Sequence, residues 1–318
     1  MYHPEAVGLW ASSNEFSTPM HSILALSAVS PQPVHLKTVE AVKPTLSESI
    51  DYALEGKGGG FRLKLGNEAG LSCGLSVNDS EQLAEGIEYF HHASLIFDDL
   101  PCMDDAEERR GRRCLHRVAG ESKAILAALA LVNRAYTQCW KVTAQYPEFA
   151  GRAAGVVERY VGELGILDGQ DRDLSYRPEL GAKEVKAIAA GKTGALLQLT
   201  LLLPAVLTGA GLSECLRLSR MARAWGIAYQ GLDDFSDLLP SLAQSGKTPF
   251  RDLEQGRPNL VVAMGADAAL TELRRYLCQA ERQIEQLSEI DPKWAFLRKF
   301  HAALADKEIA LRVALAAA

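Results

Sequence analysis

The sequence predicts an all-α fold, a single large helical bundle, and three observations support it. No stretch of useful length alternates apolar and polar residues as a half-buried strand would. No unit recurs at a fixed period, which sets aside solenoids and propellers. Several long segments carry apolar residues at helical spacing, and 47% of the 318 residues are hydrophobic, enough for a sizeable core.

Residues 1–40 mix Pro, Ser, His and scattered apolar residues without period, and are expected to form a poorly ordered or loosely docked arm before a helical domain over 41–318. Met20 to Val29 has a faint signal-like core, but Glu5 and Glu15 precede it and no basic region does, so that reading is set aside. Helix is expected from Thr45, ending at the break Glu55-Gly-Lys-Gly-Gly-Gly60. Gly66, Gly70 and Gly74 then recur every fourth residue, a spacing that lets a neighbouring helix come close. Ser80 to Phe97 reads as a helix with Ser80 as N-cap, ended by Pro101 just after Asp99. Lys123–Ala144, Glu148–Leu167, Lys183–Ala210 and Arg217–Pro240 follow as helices. Within the third, the apolar run 199–206 reads as buried, interrupted by Pro204. Residues 265–318 are Ala/Leu/Glu/Arg-rich helix, with Pro292 separating the last two.

The net charge of −6 argues against a nucleic-acid partner, which favours a basic face. Six cysteines show no Cys-x-x-Cys spacing, so neither a zinc site nor a disulfide framework is indicated, and reduced thiols in the cytoplasm are the expectation. No run reaches the ~18 uninterrupted apolar residues expected of a membrane span.

Chemistry concentrates in two acidic clusters. Asp98, Asp99, Asp104 and Asp105 put four carboxylates within eight residues, with Arg109 and Arg110 just beyond. Carboxylates at this density need a positive partner. Mg²⁺ takes a few of them plus phosphate oxygens, and arginine's planar fork matches phosphate. Asp98 and Asp104 would lie ~240° apart on an unbroken helix, so a break at Pro101 is needed to fold them together. The second cluster, Asp233, Asp234 and Asp237, sets Asp233 and Asp237 one helical turn apart on one face. Lys192 sits inside an apolar helix, where an ammonium requires a partner, and a diphosphate would serve.

With these motifs the chain resembles the all-trans polyprenyl diphosphate synthases over about residues 50–265. Asp98-Asp99-x4-Asp104 and Asp233-Asp234-x-x-Asp237 match the two aspartate-rich motifs of that family. Gly169-Gln-Asp-Arg-Asp-Leu174, Gly191-Lys-Thr-Gly-Ala195 and Gly246-Lys-Thr-Pro-Phe-Arg-Asp252 fall in the family's order. The resemblance implies an isoprenoid synthase bundle around a central cavity, two or three Mg²⁺ ions, and a homodimer. It implies head-to-tail condensation of isopentenyl diphosphate with dimethylallyl, geranyl or farnesyl diphosphate. Asp98, Asp104 and Asp233 are the first-choice metal ligands, with Asp99 and Asp237 supporting and Asp234 completing the second motif. Arg109, Lys192 and Lys247 would neutralise the allylic diphosphate, and Thr193 and Gln230 are further substrate-binding candidates. Arg62, Lys64, His91 and Arg110 fall to the isopentenyl side.

That side departs from the family's Gly-Gly-Lys-Arg-x-Arg-Pro. Phe61 stands for the lysine, Arg62 for the middle arginine, Lys64 for the last arginine and Leu65 for the proline. Phenylalanine cannot donate to a phosphate, and Lys57 is the nearest possible substitute. For chain length, Ala93 is small where the family places an aromatic to stop at C15, with Phe90 and Tyr89 a turn deeper as the floor. The expected product is therefore geranylgeranyl diphosphate, C20. Two alternatives stay open: a synthase-like terpene cyclase that ionises an allylic diphosphate alone, and a regulatory subunit of a partner synthase.

Overall fold

Thr45 starts the first helix with a reciprocal cap: its hydroxyl accepts from the Glu48 N–H, and the Glu48 carboxylate accepts from the Thr45 N–H at 2.7 Å. From there a computed structural model describes residues 43–56, 58–238 and 256–317, all within one compact unit, Lys43–Ala318. The expected arm, Lys57, Lys247 and Arg251 lie outside the described residues.

Helices α1 (Leu46–Glu55), α2 (Phe61–Cys73) and α3 (Val77–Asp98) lead into a short hairpin, β1 (Glu108–Arg109) and β2 (Arg112–Arg113). Then come α4 (Leu115–Ala119), α5 (Glu121–Thr143), α6 (Ala150–Val161), α7 (Ile166–Leu174) and α8 (Gly181–Ala189). A π turn, Ala190–Gly194, joins α8 to α9 (Ala195–Leu207), which is followed by α10 (Leu212–Leu238). The chain closes with α11 (Leu260–Met264), α12 (Ala266–Ile290) and α13 (Leu297–Ala317).

All thirteen residues of α9 are buried, so it is the axle of the bundle, touching α2, α3, α6 and α10. Each of its leucines contributes about 1.5–3 kcal/mol by leaving water. The continuous stretch Pro178–Leu207 is long and apolar enough to cross a membrane, yet 78% of its apolar window is buried inside the protein, as in a core helix. Pro204 stays within α9 and does not interrupt it.

Three boundaries differ from the sequence expectation. Ser76, not Ser80, caps α3. Ser80 is buried in its first turn against Gly70, whose missing Cβ would sit 2.5 Å from the Ser80 hydroxyl. Gly66 likewise admits Ala84, whereas Gly74 has φ +91° and ends α2 with open space around it. The expected helix over 148–167 breaks between Val161 and Ile166, where Cβ atoms on Gly162 and Gly165 would strike backbone carbonyls. The third difference is the π turn, which the sequence reads as plain helix.

Candidate active site

The first acidic motif forms at the end of α3. Asp98 is the last helical residue and Asp99 its C-cap. Beyond the break at Pro101 the Asp104 N–H donates to the Asp98 carbonyl at 2.9 Å, and the Asp105 N–H to the Leu100 carbonyl at 3.0 Å. The turn therefore folds Asp104 back onto the end of the helix, as the spacing required. Burial, then Lys192 pulling the other way and Asp104 adding to it, leave the Asp98 carboxyl pushed up to about 6.

Two cations answer these carboxylates. Lys192 Nζ lies 2.6 Å from Asp173 Oδ2 and 3.7 Å from Asp98 Oδ2. Arg257 Nη2 pairs with Asp104 Oδ1 at 2.5 Å and donates to the Met103 carbonyl at 2.9 Å, with Asp173 at 3.9 Å from Nη1. Burial works against the charge on Lys192, but Asp98 and Asp173 outweigh it, and its pKa rises.

The π turn aims Lys192. A Cβ on Gly169 of α7 would lie 2.4 Å from the Lys192 backbone nitrogen, and one on Gly226 of α10 would lie 2.4 Å from the Gly194 Cα. The wide turn is thus clamped between two helices at positions only glycine can fill, and inserted turns of this kind recur at functional sites. A polar relay continues from it. Thr193 Oγ1 donates to Gln230 Oε1 at 3.3 Å, Gln230 Nε2 to Asp234 Oδ1 at 3.0 Å, and the Leu260 N–H to Asp234 Oδ2 at 2.7 Å.

That relay fixes Asp234, which is fully buried with both carboxylate oxygens engaged and anchors the start of α11. Asp99 is similar: buried, it gives Oδ1 to Arg109 Nε and Nη2, both at 2.7 Å. Arg109 therefore fixes the motif's second aspartate. Asp233 and Asp237 are half-buried, and the charge of Asp233 reaches Arg62 and Tyr229.

On the other side, α2 turns Phe61 into the core, edge-on to Phe300 at 5.5 Å and Trp225 at 6.4 Å. Arg62 faces Glu88, Tyr229, Arg110 and Asp233, and burial lowers its pKa. Burial, then Arg62 and Arg110, hold His91 well below its ordinary range, so it is neutral. Lys64, two residues past Arg62 and about 200° round the helix, is exposed to solvent, contrary to a buried substrate contact. Arg110 occupies the left-handed region (φ 56°) in a two-residue turn with Gly111, and Nη1 donates to the Gly56 carbonyl at 3.2 Å.

Ala93 is buried on α3 among Ala124, Ala127, Ala128 and Leu131 of α5. Tyr89, one turn earlier, borders the same cluster, while Phe90 faces the main core, edge-on to Tyr136 at 5.0 Å. Sequence reasoning missed Arg257 and undervalued Asp173. The only signal for Arg257 was a basic residue between Gly256 and Pro258 after the second acidic motif.

The donor set fits Mg²⁺. It consists of carboxylate oxygens, and the buried Asp98 beside Asp104 favours a nearby positive charge. No three acidic, histidine or cysteine side chains converge into a closed cage among the described residues. An ion that takes one or two carboxylates and completes its shell with phosphate oxygens does not need one.

A profile described as polyprenyl synthetase matches residues 43–291. Geranylgeranyl pyrophosphate synthase 9 of Arabidopsis thaliana, named as chloroplastic, is 33% identical over 268 residues, covering 81% of this chain and 73% of its own. The geranylfarnesyl diphosphate synthase of Leucosceptrum canum, also named as chloroplastic, is 33% identical over 214 residues, covering 66% of this chain and 58% of its own. A geranyltransferase from Helicobacter pylori, solved with magnesium and isoprenyl diphosphate, superposes with a TM-score of 0.69 at 23% identity, covering 90% and 92% of the two chains. At that identity the superposition speaks for the fold alone.

Proposed function

The chain belongs to the polyprenyl synthetase family, and we propose that it is a Mg²⁺-dependent head-to-tail prenyltransferase making geranylgeranyl diphosphate. Its substrates would be isopentenyl diphosphate and an allylic diphosphate: dimethylallyl, geranyl or farnesyl. The observation that carries the reading is the fold-back of Asp104 onto Asp98, with Lys192 and Arg257 set against both.

Breaking the allylic C–O bond puts charge on the departing diphosphate while a carbocation forms. Preorganised charge aimed at that leaving group is the main source of catalysis. Asp98 and Asp104, with Asp233 and Asp237 from α10, would hold Mg²⁺, whose role when bound is Lewis-acid stabilisation and orientation of the diphosphate. Lys192 and Arg257 would meet the remaining phosphate oxygens, joined by Lys247. Arg109 fixes Asp99, and Thr193 and Gln230 brace the turn carrying Lys192. The apolar lining of α3 and α5 would keep water from the cation. The isopentenyl double bond then attacks the cation, and the released pyrophosphate takes the proton.

The C20 product follows from Ala93, small and set among alanines. The relatives' names include geranylgeranyl and geranylfarnesyl products, so chain length is the finest part of the proposal. A homodimer belongs to the same reading: α5 leaves Ile125, Leu126, Leu129 and Trp140 exposed along one face, suited to a second copy. Six free cysteines support a reducing compartment. The cytoplasm expected from the sequence and the chloroplast in the relatives' names both satisfy that.

The test is a product assay with Mg²⁺ and farnesyl diphosphate, with and without isopentenyl diphosphate. A C20 diphosphate formed only when both substrates are present is the expected result. A hydrocarbon or alcohol from farnesyl diphosphate alone would replace this reading with the cyclase.

A further inference from the structure

Asp105, directly after Asp104, holds a backbone conformation that side chains disfavour. Its φ is 45°, in the left-handed region, and among the described residues Arg110 is the one other non-glycine there. A residue persists in such a conformation when its surroundings over-determine it. The Asp105 N–H donates to the Leu100 carbonyl at 3.0 Å, and the N–H of the buried Ala106 donates to the Asp99 carbonyl at 3.2 Å. The Asp105 side chain is held from outside the loop. Arg117 Nη2, on α4, donates to Asp105 Oδ1 at 2.6 Å and lies 2.9 Å from Glu107 Oε1. One guanidinium nitrogen therefore grips the chain on both sides of Ala106. The start of α4 is tied to the same place, since the N–H of its N-cap Cys114 donates to the Glu107 carbonyl at 2.9 Å. Among the described residues, Arg117 is the one side chain that binds the Asp105 carboxylate.

The Asp105 side chain is 56% exposed, so the ion pair adds little to stability. Its contribution is geometric. We propose that Arg117 is a positioning residue for the first acidic motif: by holding Asp105 in its left-handed turn, it keeps Asp104 folded back onto Asp98, so that both carboxylates are set for Mg²⁺ before the ion binds. The role of Asp104 toward Mg²⁺ rests on the proposed function; the grip on the loop rests on the geometry alone. Arg117 acts through Asp105, the neighbour of Asp104. Released, Asp105 can relax out of the left-handed region. The Asp104 and Asp105 N–H groups bond to the Asp98 and Leu100 carbonyls, so a change at Asp105 disturbs the fold-back itself. The loss then falls on ion binding, and the chemistry recovers once the ion is supplied in excess.

The test measures the half-saturating Mg²⁺ concentration in two ways. One is turnover of farnesyl and isopentenyl diphosphates. The other is thermal melting across a Mg²⁺ series with inorganic pyrophosphate present, which needs no turnover. Arg117→Ala should raise the Mg²⁺ midpoint by about three- to tenfold in both, with kcat at saturating Mg²⁺ within about twofold of wild type. Arg117→Lys should recover part of the shift. The deciding variant is Asp105→Gly, because glycine takes a φ of 45° at no steric cost and no longer needs the grip. On that background Arg117→Ala should move the midpoint by less than about twofold. An equal shift with and without Asp105→Gly would overturn the inference, as would a Tm lowered in the absence of Mg²⁺ with the midpoint unchanged, which assigns Arg117 to stability alone. If wild type responds to Mg²⁺ and Arg117→Ala matches it, the inference fails and the proposed function stands. If wild type shows no Mg²⁺ response in either measurement, the proposed function fails and the inference with it.

Discussion

The two sides of the candidate site handle charge in opposite ways. On the allylic side, every described cation is matched to a carboxylate: Arg109 to Asp99, Lys192 to Asp98 and Asp173, Arg257 to Asp104 and Asp173. On the isopentenyl side, Arg62 has no such match, and Arg110 reaches a single backbone carbonyl. Paired groups hold geometry before any ligand arrives; a group left open has binding capacity to give. One half is thus preorganised by the protein itself, while the other, on the proposed reading, would be completed by its substrate.

The largest effect should come from breaking the preorganised half. Asp104→Asn keeps the shape but removes the charge facing Arg257 and the metal. Turnover should fall by about a hundred- to a thousandfold, in the range for losing one electrostatic contact to a developing charge. The melting temperature should change little. A loss below tenfold would mean that Asp104 serves only as a counter-ion to Arg257.

Next is the clamp that aims Lys192. Gly226→Ala would drive a methyl into the backbone of Gly194 at 2.4 Å, where no flexible side chain can yield. Overpacking of this kind costs about 1–3 kcal/mol, read as a fall of several degrees in Tm together with reduced turnover. A variant as stable and active as wild type would show that the π turn can move without consequence, and that the allylic side is less rigid than its ion pairs imply.

Asp98 sharpens the comparison through pH. Its carboxyl lies at about 6, above the ordinary 3.8, chiefly because burial disfavours the charge. Between those values the folded chain holds more protons than the unfolded one, so without metal its stability falls as pH rises through the window. Above about pH 6 the penalty is complete. Asp98→Asn removes it and should stabilise the metal-free protein by about 1–3 kcal/mol at pH 7, while turnover is lost. The gain should vanish near pH 4, and thermal melts in EDTA across pH 4–8 would check it. A stability gain independent of pH would assign the effect to packing.

Ala93→Phe probes depth on the same side. The ring would enter the alanine cluster of α3 and α5 and shorten the product from C20 towards C15 by mass spectrometry. An unchanged product would move the floor elsewhere.

How legible this was in the sequence follows from the range of each signal. Asp98 and Asp104 were readable because a helix break at Pro101 is local chemistry. The start of a helix near Thr45 and the close approach of a neighbouring helix along Gly66 and Gly70 were also readable. The π turn was not, because it exists only where Gly191 meets Gly169 and Gly194 meets Gly226, contacts between helices far apart in sequence. Asp234 looked like its neighbours in the motif; only the Leu260 N–H, 26 residues on, reveals that it anchors α11. Arg257 belongs to no motif read from the sequence, and its significance lies wholly in reaching Asp104. Side-chain direction on α2 was likewise hidden, since aligning Phe61, Arg62 and Lys64 with a pattern does not say which of them faces inward.

That last point yields the smallest effect and the finest test of the comparison. Lys64 is basic, adjacent to Arg62 and aligned with a substrate-binding position, so a count of motif residues would rank it with Arg62. Its place on α2 says otherwise: about 200° round the helix from Arg62, in solvent, on the opposite flank. An exposed lysine contributes little to stability or to a ligand behind the helix, because water and salt screen it. Lys64→Ala should leave KM for isopentenyl diphosphate within about twofold and Tm unchanged. A tenfold rise would mean that α2 turns its other face to the substrate in the working enzyme. The open side of the site would then be assembled by a rotation of α2, and the contrast between a finished side and a waiting side would become one between a fixed helix and a moving one.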